Sequence, residues 1–335
     1  MSSGEILMLG DINIDTVWPV SEFPTPGRDG LTETVTVEMG GAVVNSAIVL
    51  DNLGQRTGLL GCVGKDVWAE QITKKLAQTT INLKHVHVKP ESTTGLTFVI
   101  VTPDGERTMF SHRGANIQLE IQDIDEDAFK DAALLHISGY ALLESPQKKA
   151  VWSAVELAKK HNVQISLDTG LEPAIKNPKD LRRLLRELTI CISGPQEISE
   201  LLDSTSPEEA ADLLLSSGIR LAAIKLGEKG SFIADEKDQF FCPSFHVNAV
   251  DTTGAGDSFT AGLLYGWAHE LSLPASAVLA SALGALAASV YGAGFSLPDK
   301  QCVLDFLRSI QSESAAILLD GIEEVIADLG NESVP

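Results

Sequence analysis

The chain is 335 residues long and 44% hydrophobic, and it carries 25 Lys and Arg against 46 Asp and Glu, a formal net charge of −21. The length suffices for a large core in one α/β domain or two smaller ones. So large an acidic excess excludes a basic nucleic-acid-binding surface and docking on anionic membranes.

Residues 1–5 hold no basic n-region and no cleavable apolar run, so no signal peptide is expected. Residues 6–9 are a short apolar run closed by Gly10, the mark of a buried strand. Asp11-Ile12-Asn13-Ile14-Asp15 follows. Polar groups just past a strand's carboxyl end are well placed for ligands in an open α/β sheet. Pro19, Pro24 and Pro26 then break the chain, and residues 31–39 alternate Thr and Glu with Val, as a half-exposed strand does. A second alternating region predicts strands at 96–101 and 107–110, joined by a hairpin turn at Pro103-Asp104-Gly105. Together these regions predict a small antiparallel sheet standing apart from the main domain.

Gly40-Gly41-Ala42-Val43-Val44-Asn45 opens a predicted helix to about residue 53, closed by Gly54. From there, strands at 58–63, 134–137, 163–167, 189–192 and 221–226 alternate with helices at 67–76, 147–161, 181–188, 196–202 and 207–217. That alternation predicts a mostly parallel sheet covered on both faces. The charge run 120–131 reads as a solvated helix face. The most apolar stretch, 278–295, is rich in Ala, Gly and Ser and reads as a buried helix rather than a membrane span. Residues 315–329 put Leu318, Leu319, Ile322, Val325, Ile326 and Leu329 on one side of a helix. That helix would pack on its own domain or against a partner subunit. Cys62, Cys191, Cys242 and Cys302 show no CxxC or Cys/His spacing, so four reduced thiols in a cytoplasmic protein are expected.

The chemistry concentrates in Asp251-Thr252-Thr253-Gly254-Ala255-Gly256-Asp257, just before a helical pattern at 259–267. Glycines let a ligand approach the backbone, and N–H groups of a first helical turn have no partner inside the helix. An anion is therefore welcome there. Asp257 can cap that helix, or it can take a proton from a hydroxyl held against the anion site. The residues leave both open. No GxxxxGK[ST] and no GxGxxG after the first strand occur, so neither a P-loop NTPase nor an ordinary dinucleotide-binding domain is supported.

Side by side, Gly40-Gly41-Ala42-Val43-Val44-Asn45 and Asp251-Thr252-Thr253-Gly254-Ala255-Gly256-Asp257 resemble the two signatures of ribokinase-like (PfkB) carbohydrate kinases. The resemblance implies a three-layer α/β/α fold: a mostly parallel central sheet, with a small β-sheet lid built from about residues 16–39 and 94–113. It implies ATP-dependent phosphorylation of a primary hydroxyl on a small pentose or hexose sugar. ATP and Mg²⁺ are the implied cofactors, K⁺ a further one, and a homodimer the implied assembly. Asp257 would be the catalytic base, with Gly254, Ala255 and Gly256 holding the phosphoryl group in flight. Asn13, Asp15, Gly41, Asn45 and Glu144 match sugar-binding positions. Gly227 matches a nucleotide-contacting turn, with Lys225 beside it. Asp251 and Thr253 match a monovalent-cation site, completed by the backbone of residues 292–296, and Glu197 would reach Mg²⁺ through water. Arg113-Gly114-Ala115-Asn116 resembles a substrate-side motif, and Phe110 could face the substrate from the lid, whereas His112 reads as structural.

The chain departs from the family pattern at Gly194-Pro195-Gln196-Glu197, where Asn-x-x-Glu is usual. Glu197 is kept and the asparagine is not. Asp168 ends a strand on the ligand side, but the Asn and Arg that often follow it in relatives are absent. Two alternatives stay open: a nucleoside kinase of the same family, and a non-catalytic sugar-binding regulator whose only footing is Gly194.

Overall fold

The first apolar run becomes β1 (Glu5–Leu9), buried at every residue because successive side chains enter different layers. Ile6 and Met8 join one apolar cluster, Leu7 and Leu9 the other. That is what a strand covered on both faces requires. The structure is a computed structural model and describes residues 4–103, 107–311 and 316–331.

After β1 come β2 (Asn13–Pro19), β3 (Thr36–Gly40), α1 (Ala42–Asn52), β4 (Thr57–Gly64), α2 (Val67–Leu76), β5 (Asn82–Lys89), β6 (Gly95–Val101) and β7 (Arg107–His112). The middle of the chain forms β8 (Ala132–Ser138), α3 (Gln147–Lys160), β9 (Gln164–Asp168), α4 (Leu171–Lys176), α5 (Pro178–Leu184), β10 (Ile190–Ser193), α6 (Pro195–Leu202), α7 (Pro207–Ser216) and β11 (Leu221–Lys225). The last part holds β12 (Ser231–Asp235), β13 (Gln239–Cys242), α8 (Ala255–Ala268), α9 (Leu273–Ala288), α10 (Lys300–Ile310) and α11 (Ala316–Asn331).

Nine strands form the main sheet in the order β13-β12-β11-β10-β9-β8-β1-β4-β5. All neighbours from β5 to β11 pair in parallel, and β12 and β13 add an antiparallel edge. Helices α1, α8, α9, α10 and α11 cover one face, and α3, α5, α6 and α7 the other. The chain leaves β1 toward β4 and β5, then returns through β8 to β11 on the opposite side. Strand order therefore reverses between β1 and β8, and a ligand crevice belongs outside the strand ends at such a reversal.

A second sheet has the order β3-β2-β6-β7. It is mixed rather than antiparallel, because its central pair, β2 and β6, runs parallel. Alternation reveals a strand but not its direction; here both strands leave the rim of the main sheet and run outward together. Residues 31–35 alternate as expected yet lie outside the sheet, with Leu31 85% exposed. Asp104 and Gly105 of the expected hairpin turn lie outside the described residues.

Other expectations were too coarse. Strands β5, β12 and β13 and helices α4 and α10 add to the expected elements, and α9 stops at Ala288. The charge run 120–131 forms two short 3₁₀ turns instead of a helix. There Asp123 and Asp125 accept from the N–H groups of Glu120 and Asp127, which ends each turn early. α11 buries Leu318, Ile322, Val325 and Leu329 and packs against α9 and α10. Among the described residues no helix is long and apolar enough to cross a membrane.

Candidate active site

A cavity of about 1440 Å³ opens at the β1/β8 reversal, between the rim of the main sheet and the small sheet. Asn13, Asp15, Gly41, Asn45, Glu144, Thr253, Gly254, Gly256 and Asp257 all line it, although the sequence scatters them from one end of the chain to the other. Ala255 begins α8 beside them. Lys225, Gly227, Glu197 and Asp251 are not part of that lining.

The floor is the start of α8. Gly254 caps the helix in a left-handed conformation, φ 76, where a side chain would be strained. Ala255 N–H donates to Thr252 O at 3.2 Å, while the N–H groups of Gly256 and Asp257 have no acceptor among the described residues. A Cβ on Gly256 would meet only Lys225 Nζ, at 3.7 Å. Two free amides with a lysine close by fit a phosphoryl group, for which helix-start N–H groups are suited.

Asp257 caps nothing. It is the third residue of α8, and its Oδ2 accepts from Asn45 Nδ2 at 2.7 Å. Asn45 is fixed in turn, since its Oδ1 accepts from Gly294 N–H at 3.1 Å. Burial raises the Asp257 pKa to about 6, with the Asp168 charge adding to the rise. Hydrogen bonding from Asn45 and the charges of Lys225 and Arg107 pull the other way. A carboxylate poised there suits a general base working near neutrality.

Asp15 forms part of the wall above. Its Oδ1 is buried without a partner among the described residues, and burial together with the nearby Asp257 charge lifts its pKa to about 7. An acceptor left unsatisfied at a cavity wall is suited to a ligand hydroxyl. Asn13 is held beside it, its Oδ1 accepting from Asn116 Nδ2 at 2.8 Å. Asn116 also grips both backbone groups of Ile12. Arg113 binds Asp11 through two 2.8 Å bonds, contacts Glu144 at 3.4 Å and donates to Gln147. The Arg113-to-Asn116 motif thus ties the loop after β7 to the end of β1. Phe110 corrects the expectation that it faces substrate: it is 59% exposed, while Met109 and Ser111 line the cavity. His112, read from the sequence as structural, pairs with Thr93 Oγ1 at 3.1 Å, and both residues line the cavity.

Below the α8 start, Lys225 Nζ binds both oxygens of Asp168, at 2.9 and 2.7 Å, and Thr260 Oγ1 donates to the same carboxylate at 2.8 Å. Asp168 therefore sets the position of Lys225. Gly227 sits in an exposed turn at φ 60 with open space around it. At Gly194 a Cβ would overlap Glu197 Oε2, so the Glu197 carboxylate occupies the room a side chain there would need. Asp251 accepts from Thr253 N–H at 2.9 Å, Thr253 Oγ1 at 2.7 Å and Gly292 N–H at 3.0 Å, which joins two loops. Among the described residues no cluster of three or more His, Cys, Asp or Glu would hold a metal unaided.

Sequence reasoning passed over Arg107 and Glu38. Arg107 Nη1 donates to Thr253 Oγ1 at 3.1 Å, and Glu38 Oε2 accepts from Ala293 N–H at 2.7 Å. Both tie the small sheet to the loops of the main domain. Their one signal was position, each being a charge in an alternating strand.

Comparison with known proteins points to one family. A sequence model described as pfkB family carbohydrate kinase matches residues 3–300. The bifunctional ribokinase/ribose-5-phosphate isomerase A of Fructilactobacillus sanfranciscensis is 30% identical over 93% of this chain, which spans 58% of that longer protein. The 5-dehydro-2-deoxygluconokinase of Geobacillus kaustophilus is 29% identical, over 85% of this chain and 89% of its own. A fructokinase double mutant from Vibrio cholerae O395, solved with fructose, ADP and potassium ion bound, is 25% identical. It superposes with a TM-score of 0.76 over 91% of this chain and 98% of its own.

Proposed function

The chain belongs to the pfkB family of carbohydrate kinases, and we propose that it phosphorylates a primary hydroxyl of a small pentose or hexose sugar with Asp257 as general base. As a carbohydrate kinase it is a phosphotransferase with an alcohol acceptor. The observation that carries the mechanism is the half-buried Asp257 carboxylate in the cavity lining, raised to a pKa of about 6 beside two N–H groups of its own helix that have no acceptor among the described residues.

Mg·ATP would supply the phosphoryl group and its countercharge. Asp15, Asn13, Asn45 and Glu144 would accept from and donate to the sugar's hydroxyls, with the backbone of Gly41 beside them in the cavity wall. Asp257 takes the proton of the attacking hydroxyl. At the end of the Gly254, Ala255 and Gly256 turn, where the Ala255 N–H is already spent on Thr252 O, the free amides of Gly256 and Asp257 hold the phosphoryl oxygens, with Lys225 behind them. Gly227 would border the nucleotide and Glu197 would orient a water on Mg²⁺. The lack of a self-sufficient metal cluster suits Mg²⁺, which usually binds through phosphates, waters and one or two carboxylates. The small sheet excludes water that would otherwise compete as acceptor.

Three further parts of the proposal rest on single features. The Asp251–Thr253 turn would serve K⁺ together with backbone of residues 292–296. The apolar outer face of the small sheet, with Phe98 40% and Phe110 59% exposed, supports a homodimer. Four free thiols suit the cytoplasm.

A panel of ribose, fructose, other small sugars and nucleosides, read as ADP release, tests the acceptor class. Turnover confined to nucleosides would replace the sugar assignment. Asp257→Asn tests the base: survival of activity within about tenfold of wild type, with sugar binding intact, would remove Asp257 from that role.

A further inference from the structure

Arg107 opens β7, and its side chain crosses from the small sheet to the main domain. Nη1 donates to Thr253 Oγ1 at 3.1 Å, and Thr253 immediately precedes the Gly254 cap of α8. Arg107 lines the cavity together with Gly256 and Asp257. The other two Lys or Arg side chains of that lining have carboxylate partners. Arg113 is gripped by Asp11 through two 2.8 Å bonds, and Lys176 pairs with Glu172 at 2.7 Å. Among the described residues Arg107 has no carboxylate partner, only the neutral hydroxyl of Thr253. A guanidinium offers five donors in a planar fork that suits phosphate oxygens. Here that fork is half-buried, lacks a counter-ion, and stands by the helix start that carries two unpaired N–H groups.

We infer that Arg107 is a catalytic residue carried on the lid, whose guanidinium binds the phosphoryl group in transit to the acceptor hydroxyl. The inference rests on the kinase reading above. In the step itself the acceptor oxygen gives its proton to Asp257 and forms a bond to phosphorus. The bond between phosphorus and the nucleotide's bridging oxygen breaks, and its electron pair leaves with the diphosphate. Arg107 neither gains nor loses a proton; it offsets charge on the moving group. Because it rides on β7, that charge is in place only while the lid is down, so transfer is tied to closure over a bound sugar.

The test uses Arg107→Ala and Arg107→Lys in the full chain, with D-fructose and D-ribose as acceptors for turnover. Affinity for Mg·ADP, alone and with aluminium fluoride plus sugar, is read by calorimetry. Arg107→Ala should lower kcat by about 100- to 1000-fold, as loss of one transition-state donor does, with the sugar KM within about threefold. It should bind Mg·ADP normally yet lose about tenfold or more in affinity for the aluminium fluoride complex, which mimics the group in flight. Free guanidinium ion should restore part of kcat, and Arg107→Lys should lose less in both readouts. A sugar KM raised about tenfold with kcat intact would overturn the inference and make Arg107 a grip on the acceptor. Unchanged kcat and unchanged aluminium fluoride affinity would overturn it too, leaving a structural tie. Failure of the kinase reading is separable: wild type would then turn over no acceptor, a result seen before any variant is made.

Discussion

Asn45 Nδ2 donates to Asp257 Oδ2 at 2.7 Å, joining the first turn of α1 to the first turn of α8 across 212 positions of sequence. The same Asn45 accepts from Gly294, so its amide is oriented from both ends. The bond favours the ionised form of Asp257 against the burial that raises its pKa.

A pH dependence follows. In the proposed mechanism Asp257 acts ionised, so kcat/KM should rise with pH through about 6 and level off above it. Asn45→Ala removes a group that lowers the Asp257 pKa, so the acid limb should move to higher pH. Asp168→Asn removes a charge that raises it, so the limb should move lower. pH–rate profiles of the three proteins check the order, and identical limbs would contradict this electrostatic account.

Stability should run the other way. Asp257 has a folded pKa of about 6 against an ordinary 3.8, so the folded state holds its proton more tightly. Its contribution to stability is complete below the unfolded value and is lost as pH rises through about 6. Two pKa units correspond to about 3 kcal/mol. Asp257→Asn, which never ionises, should therefore be more stable than wild type at pH 8 by up to about that amount, and the gap should close toward pH 4. Urea unfolding at both ends of the range measures it.

Two glycines should respond oppositely to alanine. Gly41 has φ 99, and a Cβ there would overlap the backbone oxygen of Asp11, which cannot step aside. Gly41→Ala should cost about 2 kcal/mol or more. Gly256 has ordinary space for a methyl, and alanine gains up to about 1 kcal/mol in a helix. Gly256→Ala should keep or raise Tm while weakening phosphoryl transfer, because the methyl stands before the free N–H groups. A fall in Tm together with activity would mean that Gly256 is needed for the fold instead.

Gly194→Ala should be tolerated in folding, because the three atoms nearest its Cβ all belong to the far end of the flexible Glu197 side chain. It should nevertheless change the Mg²⁺ dependence of turnover several-fold by pushing that carboxylate aside. Glu197→Gln supplies the comparison. If Gly194→Ala leaves the Mg²⁺ titration untouched, Glu197 is not near the metal.

Much of the architecture was legible because buried parallel strands write continuous apolar runs, as residues 6–9 and 221–224 do. The site was legible where backbone demands leave glycines, at Gly41 and Gly254, with Asn45 and Asp257 near them. The direction of β2 beside β6 was not legible, since it depends on where two strands leave the rim. Arg107 was equally hidden: an arginine in an exposed hairpin looks like any surface charge until the hairpin folds back toward Thr253. Lys225 was found beside the glycine turn, but its anchor Asp168 lies 57 positions earlier on a neighbouring region of the sheet.

β3 ends at Gly40 and α1 begins at Ala42, so a single residue, Gly41, separates the small sheet from the helix that carries Asn45. The coupling between them has no slack. A tilt of the sheet would reach the start of the helix through that one residue, and with it the amide bonded to Asp257. For the base proposed above, an opened lid would then act as a safety catch, disturbing its hold whenever the chamber stands open to water.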